Sequence, residues 1–332
     1  MICAFVSLWQ NGHLFFSVLF FAELRSRMKP HAISFPPFLQ PGDTIGICAM
    51  ARKVSPAEME GAIRMLESWG LYVALGKNLY EQCNQYSGTD QQRTDDLQDF
   101  LDDPNIKAVI SGRGGYGTLR IVDALDFSEF KRNPKWIIGY SDITVLHSHV
   151  HSNFHLATLH ATMPINFAKD EYSTESLRKA LFGEPLAYKS ENKLEEKNRL
   201  GMADGQLIGG NLSLLYALQG SASDINTNGK ILFLEDLDEY AYHIDRMLLS
   251  LKRAGKLSGL KGLIVGGMND MKDNTIPFGK TAEQIIAEHV AEYNYPVCYD
   301  FPAGHDVKNY ALVLGQTVRL DVGETSTLIE FL

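Results

Sequence analysis

The chain is predicted to fold in the α/β class, with a parallel sheet in its amino-terminal half. Three observations on the 332-residue sequence predict this. Short apolar runs alternate with longer amphipathic stretches from residue 41 onward, glycine-rich turns directly follow several of those runs, and the length exceeds that of a single typical domain.

Residues 44–49 form an apolar run suited to a buried first strand. Residues 56–69 carry helical periodicity and stop at Gly70, and residues 72–75 resume a strand. Residues 106–111 read as the next strand, 118–125 as a helix, and 136–140 as a strand that ends in Gly139-Tyr140-Ser141-Asp142, with a helix expected immediately after. Such a βαβ series places active loops at the carboxyl ends of parallel strands. Residues 167–200 are highly charged and have few large apolar residues after Leu181, which suits a surface connection. Beyond it, strands are expected at 231–234 and 262–265 and helices at 242–254 and 282–293, while the tail 310–332 alternates like antiparallel strands. The expected division is therefore an extension at 1–34, a first domain at 35–168, a connection at 169–204 and a second domain at 205–332.

Composition narrows the function. Apolar residues make up 45% and charged residues 21%, which is ordinary for a globular protein, and the net charge of -9 leaves no basic face for nucleic acid. The four cysteines, Cys3, Cys48, Cys83 and Cys298, form no C-x-x-C pair, so neither zinc nor a disulfide framework is signalled, and reduced thiols in the cytoplasm fit best. His147, His149 and His151 suggest a metal tract at first sight. Alternate positions on a helix diverge by about 200° and do not converge on one ion, so a solvated or capping set is expected instead. Residues 14–21 are strongly apolar, but no Lys or Arg precedes Arg25 as a signal peptide requires, and the run is too short to span a bilayer. No stable membrane association is expected, and Met28 offers an alternative start to the chain.

Several turns carry possible chemistry. Ser141 sits where an apolar strand gives way to a helix, and two roles fit it: a helix cap, or a nucleophile held clear of its backbone beside unpaired helical N–H groups. The G-x-S-x-G elbow is matched only in part, since Ile143 stands where the second glycine belongs. Gly112-Arg113-Gly114-Gly115-Tyr116-Gly117 has the bare G-x-G-x-x-G spacing of a dinucleotide turn. It follows a middle strand, however, and Arg113 within it suits a carboxylate better than a pyrophosphate. Glu235 is the first acid at the end of the 231–234 strand, and His305 follows Gly304 after another apolar run. A hydroxyl nucleophile needs a base, and the base needs an orienting group, so Ser141, His305 and Glu235 make a coherent set.

From residue 41 to the carboxyl terminus the sequence resembles the LD-carboxypeptidase family of serine peptidases, which includes murein tetrapeptide carboxypeptidases and microcin C immunity peptidases. The resemblance rests on an ordered series: Gly42-Asp43-Thr44-Ile45-Gly46-Ile47, Arg113-Gly114-Gly115-Tyr116-Gly117 with Arg120, Gly139-Tyr140-Ser141-Asp142, Gly209-Gly210-Asn211-Leu212, Leu234-Glu235-Asp236 with Ile244-Asp245-Arg246, and Gly304-His305. It implies an amino-terminal parallel, doubly wound α/β domain of flavodoxin-like type carrying the nucleophile. A smaller, strand-rich, mixed α/β carboxyl-terminal domain supplies the glutamate and histidine. It further implies Ser141 as nucleophile, His305 as general base and Glu235 as its orienter, with the N–H groups of Asp142 and Gly115 as oxyanion hole. No metal or other cofactor is implied, and the expected assembly is a homodimer.

The implied substrate is a small murein peptide that loses its terminal D-alanine in cell-wall recycling. Arg113, Tyr116, Asn211 and Arg246 are candidates for binding it, Arg113 and Arg246 by charge toward its free carboxylate. Two other readings remain open: an immunity peptidase that cleaves an acylated amino-acid nucleotide, and a non-enzymatic nucleotide-binding module. The sequence departs from the family at Ala49-Met50-Ala51-Arg52, where a Pro-Ser pair is usual, and at Leu159-His160-Ala161-Thr162, where a Gly-Pro usually follows the Leu-His. Both departures bear on substrate identity.

Overall fold

The computed structural model describes residues 33–192 and 198–332, so the expectations for residues 1–27 and for Cys3 lie outside the described residues. Residues from Ser34 onward form one compact unit built on two sheets. The first contains β1 (Thr44–Cys48), β2 (Tyr72–Leu75), β3 (Ile106–Ser111), β4 (Trp136–Gly139) and β5 (Thr158–His160). These five are parallel in the order β2-β1-β3-β4-β5, which is the flavodoxin-like order. Each residue of β4 is buried, as expected of a strand covered on both faces. The sheet gains a sixth, antiparallel strand, β11 (Leu312–Leu314), from near the end of the chain.

The second sheet has seven strands in the order β10-β9-β8-β7-β12-β13-β6. Its parallel part comprises β7 (Gly201–Asn211), β8 (Lys230–Leu237), β9 (Gly262–Asn269) and β10 (Val297–Cys298). Its antiparallel part comprises β12 (Thr317–Val322), β13 (Ser326–Phe331) and β6 (Ala187–Glu191). The stretch read as a surface connection thus contributes β6 as well as a helix, Glu171–Leu181.

Local chemistry explains the helices. Helix α1 (Pro56–Ser68) begins with proline and is closed by a reciprocal capping box between Ser55 and Glu58. Helix α2 (Asp90–Asp102) has the same device in Thr89 and Gln92. It has too few apolar residues for its periodicity to stand out, yet it buries Leu97, Phe100 and Leu101. Residues 118–125 do not form the expected α-helix. They make two 3-10 turns, Thr118–Arg120 and Val122–Ala124. The neighbours Ile121 and Val122 are both buried, and adjacent side chains on an α-helix diverge by about 100°.

After α3 (Ser128–Arg132) comes α4 (Thr144–Phe154), which carries the histidine series and corrects its reading as solvated. His147 and His151 are buried, and His149 is half-buried against Phe127. The cause is position: α4 packs on β4 and β5 of the first sheet and on β7 of the second, so more than one of its faces is covered. Burial lowers His147 to about 4 and His151 to about 3, with Lys230 adding to the effect on His151, and both rings are neutral near pH 7. β7 can press on the start of α4 because residue 210 is glycine. A Cβ there would lie 2.9 Å from the Thr144 methyl, and the Asn211 N–H donates to Thr144 Oγ1 at 3.0 Å. Further along, Ala241–Arg253 lays Ile244, Met247, Leu248 and Leu251 on a core shared with β8 and β9, the i, i+3, i+4, i+7 stripe of an amphipathic helix.

Candidate active site

The carboxyl ends of strands from both sheets meet at one cleft of about 710 Å³. Ser141 follows β4 and begins a 3-10 turn, Ser141–Ile143, that leads into α4. Its φ of +63° is a left-handed conformation, costly for a residue with a side chain and frequent at functional turns. Its hydroxyl does not cap the helix: neither this turn nor α4 has a side-chain cap. Instead it meets His305, whose Nε2 lies 3.0 Å from Ser141 Oγ.

His305 is on the loop between β10 and β11, mostly buried, with Nδ1 2.6 Å from Glu235 Oε2. Glu235 is fully buried. It lies within β8 rather than on a following loop, because β8 runs on to Leu237, and its register with β9 shifts between Leu234 and Asp236. Such irregularities re-aim side chains next to active sites. The Tyr140 ring packs edge-on to His305 at 4.9 Å, and the Asn166 amide donates to the Tyr140 hydroxyl at 2.7 Å.

Electrostatics favour a charged imidazole at this position. Burial works against the imidazolium of His305, but the negative charge of Glu235 and its hydrogen bond outweigh that, raising His305 above its ordinary value. Next to it, burial and the Glu235 charge push Asp236 up to about 7. Asp236 is held by donations from Asn211 Nδ2 at 2.9 Å and the Ser213 N–H at 2.9 Å. Burial also raises Asp142, whose Oδ2 accepts the Thr118 N–H at 2.7 Å. That bond ties the end of the glycine loop to the serine turn.

Gly114 and Gly115 face the cleft. A Cβ on Gly114 would lie 3.3 Å from Ser141 Oγ. Behind Gly117 the loop is packed against Ala51 and the buried Arg93, so this glycine serves packing rather than a phosphate. Arg113 lines the cleft with Nη1 3.7 Å from Glu58 Oε1, and Tyr116 lines it half-exposed. Asn211 also borders the cleft, but its carboxamide is committed: Oδ1 accepts from the Leu214 N–H and Ser213 Oγ while Nδ2 holds Asp236. Arg246 is not on the cleft wall; its guanidinium lies over the Tyr242 ring at 5.5 Å. Lys169 borders the cleft without having been expected there, and Arg52 borders it within the stretch 49–52, whose departure from the family bears on the substrate cleft. The only hint to Arg52 in the sequence is its place where the family usually has Pro-Ser. Among the described residues no group of three or more His, Cys, Asp or Glu is placed to hold a metal ion.

A parallel α/β frame presenting a hydroxyl, an imidazole and a carboxylate in series at a cleft is the constellation of a serine-type hydrolase. The chain belongs to the LD-carboxypeptidase family. Residues 45–161 match its "LD-carboxypeptidase N-terminal domain" and residues 204–320 its "LD-carboxypeptidase C-terminal domain". The chain is 36% identical over 303 residues to a "Probable murein peptide carboxypeptidase" of Bacillus subtilis, covering 89% of this chain and 94% of that one. It is 29% identical over 290 residues to the "Murein tetrapeptide carboxypeptidase" of Pseudomonas aeruginosa, covering 83% and 92%. The fold matches the crystal structure of muramoyltetrapeptide carboxypeptidase from Oxalobacter formigenes with a TM-score of 0.78 at 24% identity, over 87% of this chain and 98% of that one.

Proposed function

We propose that the protein is a serine carboxypeptidase that releases the terminal D-alanine of a murein tetrapeptide, with Ser141, His305 and Glu235 as its catalytic triad. The observation that carries this is the unbroken series from Ser141 Oγ to His305 Nε2 at 3.0 Å and from His305 Nδ1 to Glu235 Oε2 at 2.6 Å. The volume of the cleft suits a short peptide. The names of the relatives supply the substrate class.

In this mechanism His305 Nε2 takes the Ser141 proton as Oγ attacks the carbonyl carbon of the last peptide bond. Glu235 holds the imidazolium that results. The oxyanion is received by the N–H groups of Asp142 and Gly115. Asp142 lies in the first turn after β4, where backbone N–H groups have no intrahelical partner. Loss of one such donor typically costs about 10²–10³ in turnover. The intermediate collapses as His305 gives its proton to the leaving nitrogen, freeing D-alanine and leaving an ester on Ser141. Water, deprotonated by His305, then hydrolyses the ester and restores the hydroxyl. The proposed compartment is the cytoplasm, supported by the free thiols of Cys48, Cys83 and Cys298. Among the described residues no helix is long and apolar enough to cross a membrane.

The test is incubation with murein tetrapeptide, following tripeptide and D-alanine by chromatography. Equimolar release by the wild type and its loss in Ser141→Ala support the reading. Release by Ser141→Ala at the wild-type rate refutes it.

A further inference from the structure

An exopeptidase must recognise the free carboxylate at the end of its substrate, and three cations border the cleft: Arg52, Arg113 and Lys169. We infer that Arg52, on the loop between β1 and α1, binds the carboxylate of the departing amino acid and so restricts cleavage to the last peptide bond. This rests on the carboxypeptidase reading above.

Arg52 is next to the reacting groups. Its aliphatic stem lies across Gly115, where a Cβ would come 2.6 Å from Arg52 Cγ and 2.9 Å from Cδ. Its N–H donates to the Gly114 carbonyl at 3.3 Å, and Gly114 in turn abuts Ser141. The guanidinium therefore projects from the wall that carries the proposed oxyanion donor, on a side chain backed by the glycine loop.

The loop bearing Arg52 is braced on both sides. The buried Arg93 donates from Nη1 to the Met50 carbonyl at 2.7 Å. The Ser87 N–H donates to the Ala51 carbonyl at 3.0 Å, and the Lys53 N–H to the Gln85 carbonyl at 3.1 Å. These bonds fix the backbone from which the Arg52 side chain departs, as the support of a positioned specificity group should. Charge distinguishes it from Arg113, which already faces Glu58. Arg52 is exposed and makes no ion pair among the described residues. Its planar fork can donate two parallel hydrogen bonds to a carboxylate, which the ammonium of Lys169 does not reproduce.

Murein tetrapeptide and the same peptide ending in D-alaninamide separate this role from a structural one. The wild type is expected to prefer the free acid by about 10–100-fold in kcat/KM, the effect of a hydrogen bond to a charged group. Arg52→Ala is expected to lower kcat/KM on the acid by that factor and to leave the amide within about twofold, so the preference collapses at an unchanged melting temperature. Arg52→Lys is expected to keep part of it. Equal loss on both peptides, or an undiminished preference in Arg52→Ala, overturns the assignment. So does a preference lost in Arg113→Ala or Lys169→Ala but kept in Arg52→Ala. A wild-type protein that cleaves neither peptide overturns the carboxypeptidase reading and this assignment with it.

Discussion

Gly304→Ala reaches the proposed catalytic series without replacing any of its members. Gly304 has a φ of +111°, and a Cβ there would lie 2.8 Å from both Cβ and Oε2 of Glu235 and 3.0 Å from its Cγ. To restore an ordinary contact of 3.4 Å the carboxylate of the fully buried Glu235 must retreat by about 0.6 Å. A retreat of that size along the bond stretches the 2.6 Å contact to His305 Nδ1 to the far end of hydrogen-bonding range. Misplacement by about 1 Å costs on the order of 10²-fold in rate, and complete loss of the orienting carboxylate costs about 10⁴-fold. A retreat of about 0.6 Å falls below that scale of about 1 Å, so the expected decrease in kcat is on the order of 10–10²-fold, well short of complete loss. Backbone strain at positive φ adds about 1–3 kcal/mol of destabilisation, so a control must carry the strain without the clash. Gly279→Ala does so, with a φ of +84° and nothing within 4 Å of the new methyl. The assay is kcat on murein tetrapeptide alongside the thermal midpoint: both variants lose stability and only Gly304→Ala loses turnover. Wild-type turnover in Gly304→Ala, or an equal loss in Gly279→Ala, refutes the reasoning.

Two further outcomes are expected. Because His305 must be neutral to act as base and its pKa is raised above the usual 6.5, kcat/KM should rise with pH through an apparent pKa above 6.5. Glu235→Gln should lower the plateau and move that limb to lower pH, and a pH–rate profile of both proteins checks it. Asp142→Ala removes the buried acceptor of the Thr118 N–H, which should cost about 1–3 kcal/mol in urea unfolding and reduce kcat by loosening the glycine loop. Asp142→Asn, which can still accept that bond, should lose less of both.

The sequence was most legible where one physical signal dominated. The runs at β1, β3 and β4 are mostly apolar and buried, broken inside a strand only by Lys107 of β3, and the Gly-Tyr-Ser-Asp turn closes the β4 run directly. Helix α2 was hidden because its apolar residues are few and its buried face also includes Arg93, Thr94 and Asp96. The extent of β8 was underestimated because Glu235 and Asp236 are acids, which read as a strand end, whereas each finds a polar partner inside the protein, His305 for Glu235 and Asn211 for Asp236. The histidine series on α4 read as solvated because periodicity does not reveal that a second sheet covers the helix. For the candidate site, individual residues were legible and their neighbourhoods were not. Ser141 and His305 stood out on their turns and Glu235 as the first acid after an apolar run, while the approach of Arg52 to Gly115 depends on how two separate loops pack.

The central claim is that Ser141 is a nucleophile activated by His305, and covalent capture tests it most directly. The protein is treated with a fluorophosphonate, and the adduct is located by intact and peptide mass spectrometry. The account predicts one adduct, on Ser141, absent from Ser141→Ala and formed far more slowly in His305→Ala. Equal labelling of Ser141→Ala, or wild-type labelling at another residue alone, would contradict it.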